Sequence, residues 1–436
     1  MNIGAHFEES VHTQDDLFTC DALLRKSVLI CLGPGGIGKT TVSAALAVAG
    51  ATKGLRVCVI TIDPARRLAD ALGIGHIDNK PKTVNGPWSG KLDAVMLNAG
   101  ATFDDLITKY AKDASQANEI QKNNLYINLT SRLSGTQEYM ASEKLFELHD
   151  SGGYDLIVVD TPPSRHAIDF LDAPENLFSF LDNKIFRLIT NHNRYVRAVS
   201  VATQLLLKTI AKVAGAEIVE DAISFFRAFD GMEEGFRERA TGITHLFKSD
   251  QSAFVLITSP QKEIIHDTKF FSGALKSRSY EIDALVVNKL LPAFDEKYEE
   301  IISGNHTAFE IQDNPVSHIT YPIASDTEHE YDRSNRQAGE DLTKPSNSHF
   351  LKSTTLSPMG FDENIKSIAW YNQVRNIKEL AAVAGQQKRL VDELTTTLNV
   401  DYILRIPLLE EDVHDLKALE IIADKLLTEQ LPLNHG

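Results

Sequence analysis

The segment from Val28 to Thr41, VLICLGPGGIGKTT, decides the fold class of this chain. Its first five residues, VLICL (28–32), are all apolar and predict a buried strand, while TTVSAALAVAGAT (40–52) predicts a helix. Between the two, residues 33–40 satisfy the pattern GxxxxGK followed by Ser or Thr. In this context of strand, loop and helix, the pattern predicts a phosphate-binding loop rather than a chance glycine-rich turn.

The residue types of this loop suit a nucleoside triphosphate and a magnesium ion. Glycines let successive backbone N–H groups point at phosphate oxygens, and the helix N-terminus adds partial positive charge. Lys39 is expected to reach the β and γ phosphates, and the Thr40 hydroxyl to ligate Mg²⁺. The predicted nucleotide-binding residues of the loop are Gly33, Gly35, Gly36, Ile37, Gly38, Lys39, Thr40 and Thr41.

Six further runs of apolar and β-branched residues predict strands. They are RVCVITI (56–62), LDAVMLN (92–98), YDLIVVD (154–160), AFVLITS (253–259), IDALVVN (282–288) and YILRIP (402–407). Near-continuous apolar runs separated by helical stretches are typical of a parallel sheet covered on both faces. The predicted fold class is therefore α/β, a P-loop nucleoside triphosphatase with a mostly parallel sheet, helices on both faces and an inserted α-helical subdomain.

Two stretches with helical periodicity predict that subdomain. One runs from about Phe103 to His149, and the other lies between the fourth and fifth predicted strands. In the second stretch, two apolar sets recur at helical spacing: Phe178, Leu181, Ile185 and Leu188, then Phe225, Phe229, Met232 and Phe236. The latter set is interpreted as core in preference to a groove for an apolar client helix.

The domain boundaries follow from these patterns. Residues 1–26 are an N-terminal extension, and 292–362 are a polar insertion that is predicted to be disordered because Ser, Thr, Asn, Asp and Pro dominate it. The predicted ATPase core comprises 27–100, 151–176 (with the second switch), 251–291 and 363–436, and the helical subdomain comprises 101–150 and 177–250. The loop motif does not repeat, so one chain carries one nucleotide site.

Charge and cysteine content exclude several partners and compartments. The chain has 44 basic and 60 acidic residues, a net charge of −16, which argues against nucleic acid and polybasic membrane contacts. The most apolar stretch, Val199 to Ala216, contains Lys208 and Lys212, so no integral membrane segment is expected. Three cysteines without a CxxC pair and a polar, acidic N-terminus predict a cytoplasmic protein.

Two carboxylates stand at predicted strand ends, where the ligand crevice of an α/β sheet lies. Asp63 follows RVCVITI, and Asp160 ends YDLIVVD in the manner of a Walker B strand. One is expected to orient the attacking water and the other to hold the Mg²⁺ shell. The alternative is that either carboxylate only caps the next helix.

The base is predicted from the residues after IDALVVN. A guanine site would have the pattern NKxD, but this chain has Asn288-Lys289-Leu290-Leu291. Leu291 in place of the aspartate favours adenine, with the Asn288 amide pairing the base edge. The alternative for Asn288 is a turn-forming residue after a strand.

Five ordered motifs resemble one family. They are GPGGIGKTT (33–41), TIDPARRLADALG (61–73), YDLIVVDTPPSRHAIDFLDAP (154–174), VVNKLLP (286–292) and RIPLLEEDVHDLKALEII (405–422). Together they resemble the ArsA-type anion-pump ATPases, which have a deviant Walker A loop, and the related ATPases that guide tail-anchored proteins to membranes. GTQEYMA (135–141) and DTPPSR (160–165) make the chain similar to a bacterial branch.

The resemblance implies ATP and Mg²⁺ as cofactors. It makes Lys39 and Asp63 the catalytic residues, with Asp63 as the hydrolytic carboxylate, and Thr40 and Asp160 the metal-site residues. Asn288 and the region of Pro407 would flank adenine. It further implies a homodimer or a heterodimer with a related ATPase subunit, in which ATP closure moves the helical subdomains, and a membrane-protein client or a pump partner.

Three departures from the family pattern matter. Pro34 replaces the signature lysine, so Arg66, Arg67 or Arg165 substitutes for it, a partner supplies it, or hydrolysis is slow. The zinc-binding CxxC pair and matching metalloid cysteines are missing, and Cys31 and Cys58 are predicted to be core residues. Arg165 stands where a glycine is expected before His166.

Overall fold

The computed structural model describes residues 20–63, 67–132, 135–162, 166–182, 216–292, 363–398, 400, 402–409, 412–413 and 415–428. The chain divides into two units. One comprises the chain up to Pro292 and from Gln386 onward, and the other is Ala293–Gly385. Residues 293–362 of the predicted insertion (292–362) lie outside the described residues, as do Ile185 and Leu188 of the first apolar set.

The described strands form one sheet of eight in the first unit. They are β1 (Val28–Leu32), β2 (Arg56–Thr61), β3 (Lys82–Val84), β4 (Lys91–Met96), β5 (Leu156–Asp160), β6 (Ser252–Thr258), β7 (Ala284–Leu290) and β8 (Ile403–Pro407). Their order across the sheet is β3-β4-β2-β5-β1-β6-β7-β8. All neighbours pair in parallel except β3 with β4, which pair antiparallel. The predicted mostly parallel α/β fold is confirmed.

Helices connect these strands. In the first unit they are α1 (Cys20–Leu24), α2 (Lys39–Thr52), α3 (Arg67–Ala71), α4 (Ala99–Tyr110), α5 (Ala114–Gln121), α6 (Asn124–Arg132), α7 (Thr136–Asp150), α8 (His166–Leu181), α9 (Ala216–Ala228), α10 (Glu233–Lys248), α11 (Lys262–Lys276) and α13 (Leu416–Thr428). The long helix α12 (Glu363–Leu398) begins in the second unit. None of the helices in the described ranges is long and apolar enough to cross a membrane.

The sheet buries a separate apolar cluster on each face. Along β1, Val28, Ile30 and Leu32 pack in the cluster that contains the helical region α4–α10, while Leu29 and Cys31 pack in the cluster with α2 and α13. This alternation explains why the strand is apolar throughout, since neither of its faces meets water.

Two details differ from the sequence-based expectations. The short helix α1 falls within the predicted N-terminal extension, yet Cys20, Leu23 and Leu24 are buried in the core. The set of Phe225, Phe229, Met232 and Phe236 does not lie on one helix, because α9 ends at Ala228 and α10 begins at Glu233. All four side chains are buried, so their interpretation as core is confirmed.

Candidate functional site

A cleft of about 370 Å³ opens at the carboxyl ends of the strands in the first unit. It is lined by Pro34, Gly35, Gly36, Gly38, Lys39, Thr40, Thr41, Asp63, Arg67, Asp70, Ala71, Thr161, Lys289 and Val413. Most of the predicted loop residues and Asp63 therefore lie in one cavity. This is the edge of an α/β sheet at which ligands bind.

The loop between β1 and α2 passes very close to a neighbouring strand. A Cβ atom on Gly33 would lie 2.3 Å from the carbonyl oxygen of Ile257 in β6, so only glycine fits there. The helix α2 then begins at Lys39, which points its first N–H groups into the cleft. This arrangement suits an anion with several oxygen atoms.

Asp160 is fully buried at the end of β5, next to the loop helix. Its Oδ2 accepts hydrogen bonds from Thr40 Oγ1 at 2.8 Å and from Thr61 Oγ1 at 3.0 Å. Its Oδ1 is buried and has no hydrogen-bond partner among the residues that the structure describes. Burial raises the pKa of Asp160 to about 6, although the bonds from Thr40 and Thr61 and the charge of Lys39 oppose the shift.

The ammonium group of Lys39 is held near the same carboxylate. The residue is buried, and its Nζ donates a hydrogen bond to the carbonyl oxygen of Pro162 at 2.9 Å. Burial lowers the pKa of Lys39, while the charges of Asp160 and Asp63 counteract the effect. The cleft therefore holds a desolvated cation at the start of α2.

Asp63 and Arg67 form the rim of the cleft. Their closest atoms, Oδ2 of Asp63 and Nη1 of Arg67, lie 3.7 Å apart, and Asp63 is much the less exposed of the two. Arg67 lines the same cleft as Pro34, and its substitution for the missing lysine stays a prediction. Arg66 and Arg165, the other two candidates, lie outside the described residues.

Of the two residues predicted to contact adenine, Asn288 contacts the phosphate loop and Pro407 lies at the end of β8. Asn288 is buried, and its Nδ2 donates a hydrogen bond to the carbonyl oxygen of Ile37 at 2.8 Å. Pro407 ends β8 and pairs with Leu290, and it is not among the residues that line the cleft. Their contacts with a base stay a prediction.

Sequence reasoning missed several residues of the site. Thr61 donates a hydrogen bond to Asp160, and Thr161 donates one to the carbonyl oxygen of Cys31 at 2.7 Å. Lys289 and Asp70 line the cleft. Thr61 and Thr161 lie at or beside the ends of predicted strands, and a polar residue at such a position could have indicated a place in the site. Lys289 lies in the motif VVNKLLP (286–292), but that pattern assigns it no place in the cleft.

The profile of the family described as "Anion-transporting ATPase" matches residues 26–320 of the chain, which include the loop, both carboxylates and strands β1–β7. The chain belongs to the anion-transporting ATPase family. Membership agrees with the observed α/β fold and classes this chain with the ATP-binding P-loop ATPases. The strand β8 and helix α13 complete the fold beyond the matched residues.

Individual relatives of this family member are distant. The ATPase GET3B of Arabidopsis thaliana is 26% identical over 280 residues, which are 60% of this chain and 63% of the relative. The putative arsenical pump-driving ATPase 2 of Aquifex aeolicus is 25% identical over 263 residues, or 60% of this chain and 79% of the relative. The ATPase get3 of Aspergillus terreus is 27% identical over 263 residues, or 59% and 72%.

These relatives come from a plant, a bacterium and a fungus, so the bacterial branch stays a prediction. The match to the Arabidopsis relative spans less than two thirds of that protein's length.

All three cysteines of this family member are free thiols in the core. Cys20, Cys31 and Cys58 are each at most 1% exposed, and burial raises their pKa, to about 12 for Cys20 and Cys31. The predicted burial of Cys31 and Cys58 is confirmed. A buried thiol that stays protonated is a poor nucleophile and a poor ligand for a soft ion.

Proposed function

We propose that this anion-transporting ATPase family member hydrolyses ATP with Mg²⁺, and that ATP-driven closure of a dimer moves its helical region. The observation that carries the proposal is the arrangement of Asp160. This fully buried carboxylate lies beside a phosphate-binding loop and accepts hydrogen bonds from Thr40 and Thr61 at one oxygen. Within the described part of the chain, its other oxygen has no hydrogen-bond partner. Removing such a charged group from water costs free energy unless a cation compensates its charge.

The residues of the cleft fit a magnesium ion. Mg²⁺ prefers oxygen ligands and is held by one or two protein groups together with substrate phosphates. Thr40 supplies a hydroxyl and Asp160 a carboxylate. The buried Oδ1 of Asp160, to which no described residue donates a hydrogen bond, needs a positive neighbour. When bound, Mg²⁺ would neutralise charge on the β and γ phosphates. Thr40 and Asp160 are the residues that would hold it.

The remaining groups bind and orient ATP. Backbone N–H groups of residues 33–41 would cradle the phosphates, and the buried ammonium of Lys39 would move from the Pro162 carbonyl to the β and γ phosphates. Asp63 would accept a hydrogen bond from the attacking water and fix its direction. Phosphoryl transfer needs this positioning and charge compensation more than covalent participation by the protein.

Contacts around α7 and α8 support coupling to the helical region. Gln137 Nε2, at the start of α7, donates a 3.4 Å hydrogen bond to the carbonyl oxygen of Ile62, the residue before Asp63. Oε1 of Glu138 lies 3.4 Å from Nδ1 of His166, where α8 begins after the Asp160 segment. Both carboxylate segments thus contact α7. We propose that this helix transmits nucleotide state in a homodimer, or in a heterodimer with a related subunit.

We propose that the helical region acts on a membrane-protein client or on a pump partner. The name of the Aquifex aeolicus relative describes driving of an arsenical pump. In this chain all three cysteines are buried, which argues against binding of an arsenical by their thiols. We therefore favour a targeting role toward membrane-protein clients over arsenical efflux. Three unpaired cysteines also favour a cytoplasmic location.

Two variants test the hydrolytic assignment. We expect Lys39→Ala to abolish ATP binding in titration calorimetry, whereas Asp63→Asn keeps binding and loses turnover in a phosphate-release assay. Asp78→Asn, an exposed aspartate outside the cleft, is the matched control and should hydrolyse ATP like the wild type. Unchanged hydrolysis by Asp63→Asn would overturn the role of Asp63, and tight ATP binding by Lys39→Ala would overturn the site.

A further inference from the structure

Three side chains with metal-binding atoms converge where α7 meets α8. They are Glu138 near the start of α7, His166 at the start of α8 and Asp169 in the first turn of α8. Each offers one ligand atom, and these three atoms lie within 4.8 Å of one another. None of the three residues lines the nucleotide cleft, so the cluster is distinct from the proposed ATP and Mg²⁺ site.

The distances within the cluster suit ligands around one metal ion. Nδ1 of His166 lies 3.4 Å from Oε1 of Glu138 and 3.5 Å from Oδ2 of Asp169. Both distances exceed the range of about 2.7–3.2 Å that is usual for an N–H···O hydrogen bond. A zinc ion holds imidazole nitrogens and carboxylate oxygens at about 2.0–2.2 Å in a tetrahedron, which separates neighbouring ligand atoms by about 3.4 Å. The imidazole nitrogen and the two carboxylate oxygens therefore have the spacing of zinc ligands.

The protein holds Glu138 in place for such a role. The residue is 5% exposed, and its Oε2 accepts a 2.6 Å hydrogen bond from the backbone N–H of Gly135. This bond engages one carboxylate oxygen, while the other, Oε1, faces His166. Hydrogen bonds of this kind orient the ligands of metal sites. Gly135 and Glu138 both belong to the motif GTQEYMA (135–141), for which the ATP site gives no explanation.

The other two ligands are open to solvent. The side chains of His166 and Asp169 are 57% and 52% exposed, so an ion can reach them and keep water as a further ligand. Asp169 also lines a cavity of about 530 Å³ together with Arg278. The guanidinium of Arg278 donates two 2.6 Å hydrogen bonds to Asp172, so its closest carboxylate is that of Asp172 and not that of Asp169.

We propose that Glu138, His166 and Asp169 bind one Zn²⁺ ion, which ties α7 to α8. The imidazole nitrogen selects zinc over Mg²⁺, because Mg²⁺ prefers ligand sets made of oxygen. The two carboxylates balance the charge of the ion, and water completes its coordination. The site goes beyond the proposed ATPase activity and does not depend on it.

The alternative for this cluster is an ion pair between a protonated imidazole and two carboxylates. An imidazolium has no lone pair for a metal, so that arrangement takes up no Zn²⁺. It also gives added Co²⁺, a spectroscopic substitute for zinc, no defined coordination geometry. Titration with the two metals therefore separates a zinc site from an ion pair.

The experiment titrates the full chain with Zn²⁺ in calorimetry, without nucleotide and in excess Mg²⁺. We expect one tightly bound equivalent of zinc. His166→Ala should weaken its binding by about 100-fold or more, since loss of an outer-shell partner alone costs about 10–100-fold. Zn²⁺ should also raise the melting temperature of the wild type and not that of His166→Ala. A wild type that binds no Zn²⁺, or an unchanged zinc affinity of His166→Ala, would overturn the proposal.

His266→Ala is the matched control for zinc binding by an ordinary surface histidine. Nδ1 of His266 lies 3.9 Å from Oδ1 of Asp267, and the His266 side chain is 87% exposed. Among the described residues, this pair is not part of a group of three metal-binding side chains. We expect His266→Ala to bind Zn²⁺ as the wild type does. An equal loss of affinity in His266→Ala and His166→Ala would assign the binding to scattered surface histidines and overturn the proposal.

A second variant keeps the test decisive if His166→Ala does not fold. Asp169→Asn keeps the shape of an exposed side chain but removes the charge that holds the ion, so a loss of zinc affinity is again expected. The visible absorption of Co²⁺ bound to the wild type should also change in Asp169→Asn, and identical spectra and affinities would overturn the proposal. Because these titrations contain no nucleotide, their failure would leave the proposed ATPase function intact. Absence of ATP hydrolysis would likewise leave the zinc site intact.

Discussion

The Oγ1 atom of Thr40 donates a 2.8 Å hydrogen bond to Oδ2 of Asp160, although 120 residues separate the two in sequence. The bond joins the start of the loop helix to the end of β5, where Asp160 pairs in register with Thr61 of β2 and Cys31 of β1. It also places a hydroxyl and a carboxylate beside each other at the phosphate loop. This pair is the centre of the proposed Mg²⁺ site.

Asp160→Asn tests that site. The amide keeps the shape of the carboxylate but has no charge to hold a cation, so ATP hydrolysis with Mg²⁺ should fall by about 100-fold or more. Binding of ATP without metal should stay near the wild-type value, because Lys39 and the loop N–H groups are unchanged. Calorimetry with and without Mg²⁺, together with phosphate release, measures both effects.

The control for Asp160→Asn lies at the other end of the same strand. Asp155 pairs with Arg56 near the amino end of β5, is 39% exposed, and is far in sequence from the loop. Asp155→Asn should retain wild-type hydrolysis and wild-type Mg²⁺ dependence. Full hydrolysis by Asp160→Asn would contradict the assignment of this carboxylate.

The stability contributed by Asp93 should depend on pH. Burial opposes ionisation of this carboxylate, but hydrogen bonds from Lys91, Thr83 and Tyr154 outweigh it and lower the pKa of Asp93 below its ordinary 3.8. A group with a depressed folded-state pKa stabilises the fold above its unfolded-state pKa, and this contribution is lost as pH falls through the folded-state value. Asp93→Asn should therefore lower the free energy of unfolding by about 2 kcal/mol at pH 7.

Urea unfolding between pH 7 and pH 3 measures this prediction. The difference between wild type and Asp93→Asn should be constant down to about pH 4 and shrink at lower pH. Asp267→Asn changes an aspartate that is 62% exposed, and its difference from the wild type should stay near zero throughout. A difference for Asp93→Asn that grew as pH fell would reverse the sign and refute the argument.

Seven strands could be predicted from the sequence because each contains a run of mostly apolar residues, and the central strands β1, β5 and β6 are buried on both faces. The edge strand β8 is buried at alternate residues, Leu404 and Ile406. The strand β3 was missed for the opposite reason: Lys82 and Thr83 are exposed, and the strand has three residues at the edge of the sheet. Its antiparallel pairing with β4 depends on a tertiary contact and leaves no apolar run to detect.

The candidate site was predictable where a local motif encodes it. The loop and the two carboxylates follow predicted strands, and the parallel sheet brings those strand ends together. The contact of Asn288 with Ile37 joins residues 251 positions apart, and Lys289, the next residue, has a left-handed conformation. No local pattern encodes such a contact, so the sequence pointed to the region of Asn288 but not to its bonding.

The buried pair of Glu143 in α7 and Arg239 in α10 should be sensitive to loss of one charge. Arg239 Nε donates to Glu143 Oε1 at 2.8 Å, and the guanidinium lies 4.4 Å from the ring centre of Phe146. Removing the carboxylate charge leaves the buried guanidinium with the more distant carboxylate of Asp150, which is 64% exposed and whose Oδ2 lies 3.6 Å from Nη1. Glu143→Gln should therefore lower the free energy of unfolding by about 3 kcal/mol. Urea unfolding at pH 7 provides the measurement.

Replacing both members of that pair separates charge from packing. The double variant Glu143→Leu, Arg239→Met buries no charge and should regain most of the stability that Glu143→Gln loses. If the double variant is less stable than Glu143→Gln, the hydrogen bonds of the pair outweigh the desolvation of its charges. If Glu143→Gln is as stable as the wild type, the pair does not hold α7 to α10.

Phe236 of α10 should act as a core residue and not as part of a client groove. It is 1% exposed and packs at 4.9 Å, between ring centres, against Phe229 and at 6.3 Å against Phe103. Phe236→Ala should therefore cost about 4 kcal/mol of unfolding free energy in urea. Phe270→Ala makes the same change at a side chain that is 48% exposed on α11 and should cost less than about 1 kcal/mol. Wild-type stability of Phe236→Ala, combined with loss of a co-purifying apolar client, would instead place this residue in a binding groove.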